Sequence, residues 1–316
     1  MIKNLFIAIT LAIISVSSSA QQTISIAWPY SMSHGTTVLM FPLLEEANRS
    51  QNQYNFILES KPGANGQIAL NHMNQLPVSR MAVIAPVFVQ LAVDGKIREE
   101  DYRYLVGLGD LCFAIWDKHS ESEKGLAGLK GTGEIVLGNN GWGNSGHLTA
   151  LEIASKYNLT VKNIVFKSNF DGLVNLTQNG GITQVLESTK AFDSLKSHAL
   201  TPANPLAITC SIRRKEMPNV KTTAEQGIVT PGPWNIIIAN KEMPVDTQKA
   251  ITAIINRALI TLGEEKILEI SSLHPVVFQK NKDVEIYYKT RSTAQKALLQ
   301  KYQSVIDADR GVGEKK

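Results

Sequence analysis

The segment Asn140-Gly141-Trp142-Gly143-Asn144-Ser145-Gly146-His147-Leu148 has the residue types and spacing to hold a small anion. It follows a short apolar run, Ile135–Gly138, and opens a helical pattern at Leu148, Leu151, Ile153 and Ala154. A glycine-rich turn that feeds a helix leaves backbone N–H groups unpaired and aimed at one point. Such a point suits a carboxylate. Asn140, Gly141, Asn144 and Ser145 are the expected polar contacts. Trp142, set between two glycines, has no evident core role and is expected to stack on a ligand, because pockets combine apolar walls with a few polar groups. His147 falls in the first helical turn, where it either donates to the site or supports the turn. A weaker partner lies near the other end of the chain. There Thr23–Ala27 reads as a strand and runs through Pro29 into a second turn and helix. Tyr30, Ser33, His34, Gly35, Thr36 and Thr37 are its candidate contacts.

Other chemistry is mostly dismissed. Gly143-Asn144-Ser145-Gly146-His147 looks like a serine-hydrolase turn, but the elbow needs glycine two residues either side of serine, and position 147 is His. Ser145 and His147 are also near neighbours, whereas triad members converge from distant segments. An exported hydrolase using this pair therefore stands only as an alternative of a different class, and no residue is assigned a catalytic role. No Walker sequence occurs, and no Gly-x-Gly-x-x-Gly follows the first strand. The six histidines are dispersed with no His-x-x-x-His pair, so no metal site is expected. No cofactor is expected either.

The elements that must position the two turns alternate. Strand-like runs occur at Ile24–Trp28, Phe56–Ser60, Met81–Ile84, Ile135–Gly138, Ile164–Phe166, Gln184–Glu187 and Asn235–Ala239. Helical patterns at Val38–Asn48, Gln67–Gln75, Leu148–Tyr157 and Asp171–Gln178 separate them, with Pro42 inside the first. This alternation predicts an α/β fold with mostly parallel strands. Two turns of this kind, far apart in sequence, predict two lobes with a cleft between them. Gly63 and Gly66, behind Pro62, read as turn chemistry alone. Trp28, Trp116 and Trp234 read as core. The C-terminal third turns helical, over Val245–Leu262 and Val284–Ile306, with a break expected around Thr290–Ser292 and a loose tail over Asp307–Lys316.

The chain's 316 residues are enough for two medium domains. The polar stretches Lys118–Lys124 and Arg213–Thr230 set the expected divisions: 21–118 in one lobe, 119–212 in the second, and 213–316 returning to the first. Residues 1–20 read as a cleaved secretory signal: Lys3, the apolar run Leu5–Val16, then Ser18-Ser19-Ala20. A net charge of +4 without a basic stripe gives no case for nucleic acid. Export permits a disulfide. Cys112 and Cys210 are the only cysteines, and a single bridge and two buried thiols are both consistent with their strand-like surroundings.

In motif order the chain resembles the tripartite tricarboxylate transporter substrate-binding proteins, also called Bug receptors. The resemblance rests on Trp28-Pro29-Tyr30, Lys61-Pro62-Gly63-Ala64-Asn65-Gly66, Gly141-x-Gly143-x-x-Gly146-His147-Leu148, Phe166-Lys167, and the long segment from Met217-Pro218-Asn219-Val220 to Glu225-Gln226-Gly227. It implies a periplasmic-binding-protein fold of the type II Venus flytrap kind, with a mostly parallel sheet in each lobe. It also implies a non-enzymatic, periplasmic and monomeric receptor that closes on a small organic carboxylate. The implied partners are transporter membrane subunits or, on the same scaffold, a sensor protein. The family holds its ligand from the two turns, which here cover Tyr30 to Thr37 and Gly141 to His147. Its first turn usually ends Ser-Thr-Asp, where this chain has Gly35-Thr36-Thr37, and a second family acid is replaced by Gln184. An amine on the ligand is thus not expected, and His34 favours an acidic or polar group. The same resemblance sets Cys112 and Cys210 in the two strands that link the lobes, where a bridge across the hinge base is allowed.

Overall fold

The computed structural model describes residues 21–30, 32, 36–195, 199–200 and 203–313. The signal segment 1–20 and the candidate contacts Ser33, His34 and Gly35 lie outside the described residues.

Runs rich in Ile, Val, Leu and aromatic residues form the strands, because such side chains fill the faces of a covered sheet. The order begins with β1 (Gln22–Trp28), α1 (Thr37–Arg49), β2 (Tyr54–Ser60), α2 (Gln67–Gln75), β3 (Arg80–Ile84), α3 (Val87–Val93) and β4 (Tyr102–Leu111). Next come β5 (Ala114–Asp117), β6 (Glu134–Asn139), α4 (Ser145–Tyr157), β7 (Thr160–Val165), α5 (Asn169–Thr177), β8 (Gln184–Glu187), α6 (Thr189–Leu195) and β9 (Asn204–Ile208). The chain ends with β10 (Trp234–Asn240), α7 (Val245–Leu262), α8 (Glu264–Ser271), β11 (Leu273–His274) and α9 (Val284–Gly313).

Two sheets result, in the orders β11-β4-β10-β3-β1-β2 and β7-β6-β8-β5-β9. The parallel character lies in β2-β1-β3 and β7-β6-β8. The strands beside the crossings, β4, β10 and β11 in one sheet and β5 and β9 in the other, pair antiparallel. The chain passes to the second sheet at Cys112–Phe113, upstream of the division expected at 118, because β5 pairs with β8 and β9. It returns between β9 and β10. The two crossings lie side by side: Thr209 N–H donates to the Phe113 carbonyl at 2.9 Å, and Phe113 N–H donates to Thr209 Oγ1 at 3.1 Å. Cys112 and Cys210 are bridged there, with Cα atoms 4.8 Å apart, inside the usual span for a disulfide.

Pro42 sits within α1 rather than breaking it. Val38, four residues earlier and the normal acceptor for residue 42, is 52% exposed, so the bond that proline cannot make falls on the helix's outer face. The buried face of α1 packs on α7, whose Ile251, Ile255, Ala258 and Leu259 form one apolar stripe. The expected break near Thr290–Ser292 is absent. Thr290 and Ser292 turn their hydroxyls back onto the helix carbonyls of Ile286 and Lys289. The tail expected to be loose is helical as far as Gly313, and charged partners far away in sequence hold it.

Candidate functional site

In open α/β sheets, ligands sit beyond the carboxyl ends of the strands. Here the ends of β1, β2, β6 and β7 lead into turns that line one cleft of about 420 Å³. Tyr30, Gly63, Ala64, Gly66 and Gln67 face it from the first sheet's side. Asn140 to Trp142, Asn144 to Gly146, and Val165 to Asn169 face it from the second. The N-terminal ends of α2, α4 and α5 all open onto this space, through Gln67, Ser145 and Asn169. Each brings the positive end of a helix dipole.

The turn before α4 is held rigid by its own side chains. Asn144 caps the helix: its Oδ1 accepts the His147 N–H at 3.1 Å. Asn139 Nδ2 bonds Asn144 Oδ1 at 2.9 Å and the Gly141 carbonyl at 2.7 Å, while Asn144 Nδ2 reaches Asn140 Oδ1 at 2.6 Å. Gly143 has φ +67°, and a Cβ there would meet Gln90 Oε1 at 2.1 Å. Only glycine allows this approach of the second lobe's turn to α3. Among the described residues, no acceptor within the chain takes the N–H of Ser145 or Gly146. These are orphan donors of the first helical turn, and both residues line the cleft.

The expected contacts divide. Tyr30, Asn140, Gly141, Trp142, Asn144 and Ser145 line the cleft. Thr36, Thr37 and His147 are fully buried and are not among its lining residues. Thr37 Oγ1 accepts the Trp28 indole N–H at 2.8 Å, which ties α1 to the end of β1. His147 Nδ1 accepts the Gly143 N–H at 3.2 Å, and Nε2 lies 3.3 Å from Asp309. Of its two expected roles, support of the turn is the one its contacts serve. Trp142 is half-buried rather than free. It packs against the core, and among the described residues its indole N–H has no partner. The Ser145 hydroxyl donates to the Gly232 carbonyl at 2.9 Å, so it is not joined to His147 as a hydrolase pair would be.

Several lining residues were not anticipated. Gly63 and Gly66, read as turn chemistry alone, face the cleft with φ of +112° and +80°. Ser168 lines it while capping α5 through the Asp171 N–H at 3.2 Å. Trp234, a core residue by sequence, is fully buried yet borders the cleft with its indole N–H unpartnered. Below Tyr30, whose hydroxyl donates to Asn235 Oδ1 at 3.0 Å, sits the fully buried Glu187. Burial pushes the Glu187 carboxyl up to about 7, against the hydrogen bonds it accepts from Ser188. Burial, then the Glu187 charge, raises the Tyr30 phenol. Among the described residues, the charged side chains lining the cleft are Asp94, Lys96, Lys167 and Arg310, an excess of cations.

A larger cavity, of about 660 Å³, lies against the Cys112–Cys210 bridge. Its charges largely cancel in pairs, including Arg214 with Glu216, Lys215 with Glu265 and Arg291 with Asp110. In the smaller cleft, by contrast, the first amides of α4 and an excess of lining cations among the described residues meet.

No protein-family model and no curated protein sequence matches the chain. Solved structures do match in fold. A TctC solute-binding protein from Polaromonas, without ligand, superposes with a TM-score of 0.63 at 22% identity, over 88% of this chain and 98% of that one. The periplasmic binding protein BugD gives 0.71 at 14% identity, over 88% and 97%. MatC from Rhodopseudomonas palustris, with bound malate, gives 0.66 at 15% identity, over 90% and 98%. The chain thus has the two-lobed fold of periplasmic solute-binding proteins. The structures that share this fold include TctC and Bug proteins, the group the chain's sequence motifs resemble.

Proposed function

We propose that this chain is an exported, non-catalytic receptor that captures a small organic carboxylate between its lobes and hands it to a tripartite tricarboxylate-type membrane transporter. The observation that carries this reading is the pair of unpaired amides, Ser145 and Gly146, at the cleft end of α4. Helix N-termini hold anions through such groups, with no full countercharge. Charge-assisted hydrogen bonds then orient the carboxylate. Tyr30, Asn140, Gly141, Trp142 and Asn144 complete the proposed contact set. The lobes divide at the two crossings, and the receptor acts in the periplasm as a monomer. The neighbour with bound malate agrees with the ligand class.

The test is thermal unfolding of the mature chain against a panel of organic acids. A binding acid at roughly a hundred times its dissociation constant should add about 2.7 kcal/mol of stability. A flat response across mono-, di- and tricarboxylates would remove the ligand class.

A further inference from the structure

The α4 amides can hold one carboxylate, and the remainder of a ligand must lie along the rest of the cleft. One lining residue there comes from an unexpected place. α9 runs from the first lobe across both: Tyr287 and Arg291 bond Asp110, while Lys301 pairs with Glu152 at 2.6 Å and Tyr302 bonds the Leu151 carbonyl on α4. Near its end Asp309 lies against His147, and Arg310 reaches the cleft wall.

Arg310 is built into that wall. Its side chain is 23% exposed, and it lies 3.2 Å from Asp94, whose side chain is 12% exposed. Asp94 is fixed by Gln90, fully buried, which donates from Nε2 at 2.6 Å. Asp94 also faces Lys96 at 4.0 Å, so one carboxylate serves two cations. Among the described residues Arg310 has one further ion-pair neighbour, Asp307 at 4.0 Å. A guanidinium carries five donors in a planar fork, and Asp94 engages one nitrogen, leaving donors for a second acid. Lys96 and Lys167 are the other lining cations, and both are more exposed. Water weakens their pull more than that of the enclosed Arg310.

We propose that Arg310, carried into the cleft by the end of α9, reads a second acidic group on the ligand and makes this receptor prefer a diacid over the matching monoacid. The proposal rests on the carboxylate-receptor reading above.

The experiment is isothermal titration of the full mature chain with succinate, glutarate and adipate, and with butyrate, pentanoate and hexanoate. It is repeated with Arg310→Gln, Arg310→Lys and Asp94→Asn, each first checked for unliganded melting temperature. The wild type should prefer at least one diacid over its monoacid. Arg310→Gln should cut that preference about tenfold or more, the loss of one charge-assisted contact, and Arg310→Lys should restore part of it. Asp94→Asn frees the guanidinium, so the preference should hold or rise. A merely structural ion pair would make Asp94→Asn act like Arg310→Gln, and that result overturns the proposal. So does a preference that Arg310→Gln leaves unchanged. If Arg310→Gln does not fold, Asp94→Asn and Arg310→Lys decide alone by the same criteria. If no acid binds the wild type, the carboxylate reading falls and this proposal with it. If acids bind with no Arg310-dependent preference, this proposal alone falls.

Discussion

Glu187 shows how a single buried residue shapes the pH dependence of stability. Its carboxyl is fully buried at the end of β8, and Oε2 has no hydrogen-bond partner. Burial raises it from its ordinary 4.5 to about 7. Between those values the unfolded chain ionises this group while the folded chain keeps its proton. The folded state then binds more protons, so stability falls as pH rises from 4.5 to about 7, and stays lower above that. The size of the loss is up to about 3 kcal/mol. Glu187→Gln should flatten this part of the stability–pH curve in urea unfolding and leave the variant more stable than wild type at pH above about 7. A decline of equal slope in both proteins would show that another group is responsible. No motif marks Glu187: it reads as one more residue of a short strand, while its neighbours in space, Ala114 across the sheet and the Trp116 indole that donates to its carbonyl, are distant in sequence.

At the scale of elements, the β6–α4 turn was legible because all its signals lie in one short stretch. The glycines, the Asn144 cap and the helical period are local, and local chemistry alone holds the turn in shape. The first turn was less so. Thr36 and Thr37 have the residue types of a ligand site, yet the Thr37 hydroxyl serves Trp28. The Asp307–Arg310 stretch misled in the opposite sense. Polar and C-terminal, it reads as loose, but His147 and Asp94, more than a hundred residues earlier, hold it in α9. Pairing across that separation leaves no periodic mark. The cysteines fall between these cases. Their surroundings allowed a bridge, and the adjacency of the two crossings makes it. The loop it closes spans 98 residues. Replacing both by serine should cost about 2–5 kcal/mol in chemical unfolding under oxidising conditions. An unchanged unfolding free energy, or a mass showing two free thiols without reductant, would contradict the bridge.

For the whole molecule, two sheets are joined by paired crossings at Cys112–Phe113 and beyond β9, and are spanned again by α9. The fold class was legible from strand–helix alternation. The exact crossing point was not, since β5 belongs to the second sheet through pairings with β8 and β9 that carry no local signal. What the assembly achieves is convergence. Helix ends from both lobes open on one cleft, and among the described residues its lining cations outnumber its acids. The central claim is that an organic acid is gripped there by the first amides of α4. A crystal structure of the mature chain with whichever acid gives the largest thermal shift tests it most directly. The account predicts carboxylate oxygens about 2.7–3.1 Å from the Ser145 and Gly146 nitrogens. An acid seated instead in the cavity beside the Cys112–Cys210 bridge, with those two amides facing only water, would contradict it.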